Sequence, residues 1–329
     1  MIRLALFTLL ALLLPRPAGA DVAAVRAGDA VILSNSVIRV RLDLRRGGCP
    51  TEIGLGAAGE SLCGPAFMSL YYDAEKRWLS DLDIPGAAAE IRRPGKAEGG
   101  GVTVTVTLPA FPGWEVRKVY ALREESPVLS VAYRVRAKEA LRPYPFIPVN
   151  LSGRADADTL LGAGGAVSRD DLKVDDFALV MNESNWYGFA RGAEGPGIAA
   201  ALVKWPEWFR RHTIGRRKDG TLFLHARLFP EPFKPGQEVE FAYNLVAFAA
   251  DGPRAVKAAQ AAPAAAIAPA GGTPGAGAPA RAARGVRTLC IPQVTQAPAM
   301  DGSLDDACWK LAALADGWKI GRASCRERV

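Results

Sequence analysis

The stretch WEVRKVYALREESPVLSVAYRVRA, residues 114–137, decides the fold class. On either side of a central turn, apolar and polar residues alternate with a period of two, which is typical of half-buried β-strands. The same alternation occurs in VIRVRLDL at 37–44, GVTVTVTL at 101–108 and EVEFAYNLVAF at 238–248. Turns rich in glycine and proline separate these runs, and helical periodicity is nearly absent. We therefore predict an all-β fold, a large antiparallel supersandwich in which two sheets cover each other's apolar faces.

Three of these strand-and-turn stretches resemble the galactose-mutarotase-like supersandwich domains. They are LSNSVIRVRLDLRRGGCPTEI at 33–53, the stretch at 114–137, and FKPGQEVEFAYNLVAF at 233–248. The resemblance covers about residues 28–250 and implies a sugar-facing domain over 21–250. The histidine pair and late glutamate of the mutarotases have no clear counterpart here, so mutarotase activity is not expected.

Residues 251–285 consist mainly of alanine, proline and glycine. Such a segment cannot fill a core, and we predict a flexible linker. After it, IPQVTQAPAMDGSLDDACWKLAALADGW at 291–318 resembles the opening of carbohydrate-binding modules of family 9, which implies an incomplete β-sandwich module over 286–319. The last ten residues, 320–329, resemble a translated sequencing adapter, and we expect the natural chain to continue beyond Lys319.

The first twenty residues predict a signal peptide, with a basic start, an apolar run over 4–14 and the small residues Ala18, Gly19 and Ala20 before the cut. No later segment has the length of a transmembrane helix, so we predict a secreted or periplasmic protein without a membrane span in the mature chain. The whole chain has a net charge of +7, but residues 21–319 carry only +3. This weak, dispersed charge argues against a nucleic-acid partner.

Four cysteines lie outside the adapter-like tail, an even number in a chain that we expect to enter an oxidising compartment. Their spacing suggests two disulfides, Cys49 with Cys63 and Cys290 with Cys308. Because no Cys/His cluster has the spacing of a metal site, we predict neither a metal nor a cofactor.

Aromatic residues interleaved with polar ones are typical of glycan grooves, since sugars stack their C–H faces on rings and pair their hydroxyls with polar groups. One region has this pattern, and its candidate ligand-binding residues are Trp186, Tyr187, Trp205, Trp208, Arg210 and Arg211. Glu183, Glu207 and His212 are the candidate catalytic residues of the same region. The alternative is that the tryptophans belong to the sandwich core. His225, in the strand-like run at 222–229, is interpreted as an ordinary strand residue.

These patterns lead to an exported carbohydrate-binding protein, with a polysaccharide or oligosaccharide as partner, acting in polysaccharide recognition or degradation. The linker would keep the binding module close to the sugar-facing domain and so raise the local concentration of glycan. The first alternative is a secreted glycoside hydrolase or polysaccharide lyase that uses the carboxylates and histidine named above. The second is a structural envelope sandwich that binds protein. We expect binding rather than catalysis from this chain.

Overall fold

A computed structural model describes residues 22–260 except 57–58, 73–74, 94–99, 163–164, 173, 175–176, 181–184, 207–208 and 231. The chain divides into two compact units, Met1–Ala270 and Gly271–Val329, and every described residue belongs to the first. The signal peptide, the module over 286–319 and the cysteines Cys290 and Cys308 lie outside the described residues.

Strands dominate the described residues, which confirms the predicted all-β sandwich. In chain order the strands are β1 (Val22–Ala27), β2 (Ala30–Asn35), β3 (Ile38–Asp43), β4 (Cys49–Leu55), β5 (Cys63–Tyr72), β6 (Arg77–Ser80), β7 (Ala88–Arg92), β8 (Val102–Thr107), β9 (Trp114–Leu122), β10 (Val128–Ala137), β11 (Pro143–Gly153), β12 (Thr159–Gly162), β13 (Gly165–Ser168), β14 (Phe177–Val180), β15 (Trp186–Ala190), β16 (Gly197–Lys204), β17 (Phe209–Arg216), β18 (Leu222–Phe229) and β19 (Glu238–Phe248). The helix α1 (Gly252–Gln260) follows the last strand.

The strands form three sheets. The nine-stranded sheet has the order β13-β12-β15-β16-β19-β10-β9-β8-β7, and the six-stranded sheet has the order β14-β17-β18-β11-β5-β6. A four-stranded sheet joins β1 to β4 in sequence order. Neighbouring strands pair antiparallel throughout these three sheets. This pairing follows from the many short turns, which return the chain beside the strand it has just left.

One continuous core contains residues from all three sheets. The alternation over 114–137 sets its geometry, because every second residue of β9 and β10 is turned inwards. Tyr133 on β10 lies opposite Phe241 on β19, and their rings stack with centroids 4.8 Å apart. The predicted half-buried strands therefore carry the large rings that fill the space between the sheets.

The core also holds a buried ion pair. Lys118 lies at an inward position of β9, and its Nζ is 2.8 Å from Asp81 Oδ2, with both side chains fully buried. Nζ also donates to the carbonyl of Gly47 at 2.8 Å, while the Tyr133 hydroxyl donates to Asp81 at 3.0 Å. Burial alone would lower the pKa of Lys118, but Asp81 and Cys49 nearby outweigh it and raise this pKa. The lysine is therefore held charged between the nine-stranded sheet and the loop after β6.

The predicted disulfide between Cys49 and Cys63 is not formed, since both are buried free thiols. The Sγ of Cys49 belongs to the buried ion-pair cluster, 3.1 Å from Lys118 Nζ and 3.4 Å from Asp81 Oδ1. Burial raises the pKa of Cys63 to about 12. Sequence spacing suggested the bridge because the two residues are close along the chain, but each thiol packs into its own part of the core.

The predicted linker begins later than residue 251, because α1 occupies its first part. Val256 and Ala259 of α1 are buried against the nine-stranded sheet. Asn244 on β19 donates to the carbonyl of Ala259 at 3.1 Å, which fixes the last turn of the helix. The first part of the predicted linker is therefore a helix whose small side chains pack closely on the nine-stranded sheet. None of the helices in the described part of the chain is long and apolar enough to cross a bilayer.

Candidate functional site

The described side chains of the region proposed from sequence as a glycan groove pack into two different parts of the core. Trp186 is buried in the small core beneath α1. Its neighbour Tyr187 points to the opposite side of β15, into the main core, where its ring lies 4.9 Å from that of His212. His212 is only 2% exposed. These three side chains are therefore packed inside the protein, and their assignment to a glycan groove or to catalysis stays a prediction.

The other residues of that prediction fall into three groups. Trp205 is half-buried, and its ring stacks at 6.2 Å on Phe241 of the core. Glu183, Glu207 and Trp208 lie outside the described residues. For Arg210 and Arg211 the structure gives the backbone of β17 alone, with Arg210 opposite Leu228 and Arg211 opposite Arg227.

A different surface brings polar side chains together, and it belongs to the six-stranded sheet. Leu222, Leu224, Ala226 and Leu228 of β18 enter the main core. Because side chains alternate along a strand, Phe223, His225 and Arg227 lie on the opposite side. We call this side of the six-stranded sheet, turned away from the main core, the outer face.

The centre of the outer face is a row of four residues on adjacent strands, which we call the His225 row. Thr213 on β17 lies opposite His225, His225 lies opposite Asn150 on β11, and Asn150 lies opposite Phe67 on β5. With adjacent strands about 4.8 Å apart, the row spans roughly 14 Å. Thr213 and Asn150 are buried, whereas His225 and Phe67 are half-buried. Half-buried residues thus alternate with buried ones along the row.

The position of Asn150 follows from the sequence of β11. Pro148 has no N–H to donate to a neighbouring strand, and the pairing of β11 shifts register on both sides around it. Such bulges redirect side chains and are common beside functional sites. The amide of Asn150 fills the irregularity, donating to Ser69 Oγ at 3.0 Å and lying within reach of the carbonyls of Phe67 and Ile147 at 3.3 and 3.4 Å.

His225 is neutral in this environment. Burial is the main cause that lowers its pKa to about 3, and the positive charges of Arg227 and Arg217 lower it further. Arg217 also lies over the ring of Phe223, 5.5 Å from its centroid, and the His225 ring is 4.8 Å from the same phenyl ring. The imidazole therefore offers one acceptor and one donor rather than a second positive charge.

Two atoms of the His225 row lack the hydrogen bonds that buried polar atoms normally make. Thr213 Oγ1 and His225 Nδ1 are buried, and neither has a hydrogen-bond partner among the described residues. Leaving a buried polar group unpaired costs about 1–3 kcal/mol. Two such atoms on paired residues of one sheet face indicate a place where a further polar molecule would be bound.

Aromatic side chains lie towards the β5–β6 edge of the outer face. Tyr71 on β5 and Trp78 on β6 meet edge to face, with centroids 5.7 Å apart, and Trp78 is 51% exposed. Phe67, also on β5, has a half-buried ring and lies between this pair and His225. Rings placed in this way give a sugar apolar surfaces on which its C–H faces can rest.

The charge of the six-stranded sheet has a single sign. Its six strands contain no aspartate or glutamate and five arginines, which are Arg77, Arg210, Arg211, Arg216 and Arg227. Two of them, Arg77 and Arg216, lie at strand ends and pair with Glu75 and Asp170 outside the strands. Around the His225 row the strands themselves supply positive charge only.

A small cavity lies beside the β15–β16 turn. It has room for about one water molecule and is lined by Leu62, Arg154, Asp156, Ala157, Phe189, Ala190, Arg191 and Pro196. Its charged side chains form ion pairs with one another, since Arg154 and Arg191 each pair with both Asp156 and Glu60 at 2.8–3.3 Å. It is smaller than most ligand pockets, and its polar groups are already satisfied. The outer face is the stronger candidate.

Sequence reasoning missed this site for a physical reason. His225 looked like an ordinary strand residue, and its partners Asn150 and Thr213 become neighbours only through the pairing of β11, β18 and β17. One signal was present in the sequence, since LFLHARLF and FRRHTIGR are strand-like runs without any acid. Among the described residues no group of three or more His, Cys, Asp or Glu side chains could hold a metal ion.

Comparison with known proteins supports the fold. Neither a family model nor a curated protein sequence matches this chain. Among solved structures it is similar to the galactosidase domain of the α-galactosidase-sucrose kinase AgaSK, with 10% identity and a TM-score of 0.52. That alignment covers 69% of this chain and 42% of the other, so this chain spans less than half of its relative.

Two further structures have lower TM-scores. An α-galactosidase from Geobacillus stearothermophilus, solved with 1-deoxygalactonojirimycin, has 11% identity and a TM-score of 0.46, with 69% of this chain and 40% of the other covered. A galactose mutarotase-like protein from Lactobacillus casei has 12% identity and a TM-score of 0.45, with 67% and 100% covered. The similarity to the AgaSK galactosidase domain, at 10% identity and a TM-score of 0.52, shows the fold alone. The described part of the chain thus has the β-supersandwich fold that the sequence predicted.

Proposed function

We propose that the protein binds saccharides on the outer face of the six-stranded sheet. The observation that carries this proposal is the His225 row, in which Thr213 Oγ1 and His225 Nδ1 are buried without partners among the described residues. A sugar hydroxyl both donates and accepts, so it can satisfy a threonine hydroxyl and an imidazole nitrogen at neighbouring positions. Phe67 lies in the same row, two positions from His225.

The proposal favours binding over turnover. General acid–base catalysis needs a group whose pKa lies near the working pH, whereas the pKa of His225 is lowered to about 3. Glycoside hydrolysis needs a pair of carboxylates, and the six strands carry none. The catalytic alternative rests on Glu183 and Glu207, and it predicts that Glu207→Gln abolishes the release of reducing sugar from a polysaccharide.

We further propose that the protein is exported and acts in polysaccharide recognition or degradation. The apolar run over 4–14 with small residues before position 21 supports export. The resemblance of residues 291–318 to family 9 carbohydrate-binding modules supports a second sugar-binding part. Two such parts on one chain would hold a polysaccharide more strongly than either does alone.

Thr213→Val gives a sharp test, because it removes the unpaired hydroxyl and keeps the shape of the side chain. Since that hydroxyl has no hydrogen-bond partner to lose among the described residues, we expect the variant to be as stable as the wild type or up to about 1–3 kcal/mol more stable in urea unfolding. Its affinity for a binding oligosaccharide, measured by isothermal titration calorimetry on the full chain, should fall about 10-fold.

Thr105→Val on β8 is the matched control. Thr105 is a half-buried threonine on the side of the nine-stranded sheet that is turned away from the core. We expect this change to leave sugar affinity unaltered. Equal affinity of the Thr213→Val variant and the wild type, or no binding to any oligosaccharide of a neutral and acidic panel, would contradict the proposed function.

A further inference from the structure

We propose that the outer face binds an extended saccharide chain, and that Trp78 and Tyr71 bind a sugar unit of this chain beyond the His225 row. This inference rests on the proposed function and specifies the size of its ligand. Among the described residues four large apolar side chains are exposed, and Trp78 is the aromatic one, whereas the other three are valines. Single apolar residues on a surface are ordinary. An exposed indole ring on the face that holds a candidate sugar site is a more specific feature.

Trp78 lies on the same face as the His225 row. Leu79, the next residue of β6, enters the main core, so Trp78 is turned to the outer face. Trp78 lies opposite Tyr71 on β5. Phe67 belongs to the His225 row and lies four positions before Tyr71 on the same strand, where side chains an even number of positions apart share a face. The Tyr71–Trp78 pair therefore continues the candidate site along β5.

The Tyr71–Trp78 pair is too far from His225 for one sugar ring to contact both. Four positions along a strand correspond to about 13 Å. Three strand spacings separate β18 from β6, because β11 and β5 lie between them, and they add about 14 Å in the perpendicular direction. Together these displacements give roughly 20 Å, which is several times the width of a sugar ring. A ligand that contacts both places is therefore a chain of several linked sugar units.

The contact between the two rings prepares Trp78 for stacking. The rings of Tyr71 and Trp78 meet edge to face, with their centroids 5.7 Å apart and their planes at 72°. This contact restricts the rotation of the indole, while half of the Trp78 side chain remains exposed. A side chain that is ordered before binding loses less conformational entropy when the ligand binds. Once the His225 row holds one unit of a chain, the contact of a second unit with Trp78 is intramolecular, so it strengthens binding.

The length of the ligand separates this inference from the proposed function. Oligosaccharides of one to six units, prepared from a neutral β-glucan, a neutral β-galactan and a polygalacturonate, are titrated into the full-length protein by isothermal titration calorimetry. In the series that binds best, we expect the hexasaccharide to bind about 10-fold or more tightly than the disaccharide, because the longer chain reaches the Tyr71–Trp78 pair. Equal affinity of the disaccharide and the hexasaccharide would overturn this inference and leave saccharide binding standing. Absence of binding to all three series would overturn the proposed function itself.

Variants of Trp78 show whether the indole causes the preference for long chains. Trp78→Ala should lower the affinity for the hexasaccharide to near that for the disaccharide and leave the affinity for the disaccharide unchanged. Trp78→Phe, which keeps an aromatic ring, should give an intermediate affinity for the hexasaccharide. Val25→Ala is the matched control, because Val25 is an exposed apolar residue of the four-stranded sheet, and it should change neither affinity. Urea unfolding verifies that each variant is folded, and a length preference that survives Trp78→Ala in a folded variant would overturn the inference.

Discussion

The two large sheets are both antiparallel but differ in the charged residues that their strands carry. In the nine-stranded sheet, Lys118 reaches Asp81 inside the core, and outside it Arg134 and Arg136 pair with glutamates. In the six-stranded sheet no strand carries an acid, and Arg227 faces Arg211. A charge buried inside the protein needs a partner, so the Lys118–Asp81 pair belongs to the fold itself. On the outer face, Thr213 Oγ1 and His225 Nδ1 are buried without hydrogen-bond partners among the described residues, which costs stability and is better explained by a ligand.

The largest effect is expected where this contrast is sharpest, at the buried ion pair. Lys118→Met leaves the carboxylate of Asp81 buried without its cation, and we expect a loss of about 3–5 kcal/mol in the free energy of unfolding. Urea unfolding followed by tryptophan fluorescence measures it. Arg136→Met, which breaks a solvent-exposed pair on the same sheet, should cost less than about 1 kcal/mol. Equal costs for the two variants would show that the Lys118–Asp81 pair has no special role in joining the sheets.

A further effect on stability is expected from His225 when the pH falls. Because its pKa is about 3 in the fold and 6.5 in the unfolded chain, the unfolded state binds the extra proton first, and stability is lost as the pH falls from 6.5 towards 3. The loss from this residue is at most about 1.4 kcal/mol per pH unit in that window.

His225→Gln should flatten this part of the stability profile and leave the profile above pH 7 unchanged. Urea unfolding between pH 4 and pH 8 provides the measurement. Parallel profiles for the variant and the wild type would mean that His225 is not held neutral on the outer face.

The sequence predicted the fold because period-two alternation is a local property of each strand. The same periodicity separates residues that the predicted site groups together. Trp186 and Tyr187 are adjacent in the chain, but adjacent residues of a strand point to opposite sides of its sheet. A cluster of aromatic and polar residues that is contiguous in sequence is therefore divided when the segment is a strand.

Two other features depended on partners far along the chain. Asp81 lies 37 positions before Lys118, and nothing local in WEVRKVYAL marks its lysine as an inward residue with a buried partner. The His225 row likewise joins residues from β5, β11, β17 and β18, whose order in the sheet does not follow their order in the chain. Sequence patterns predict which residues share one side of a strand. The pairing of strands in the sheet then determines which residues of different strands become neighbours.

Mapping the ligand contact by nuclear magnetic resonance tests the central claim most directly. The full-length, isotope-labelled protein is titrated with the oligosaccharide that binds best, and the shifts of backbone amides and of the Asn150 side-chain amide are followed. The largest shifts are predicted at Asn150, Thr213 and His225, with little change at Trp186 beneath α1. Shifts concentrated at the cavity between Arg154 and Arg191, with the His225 row unchanged, would contradict the assignment of the outer face as the saccharide site.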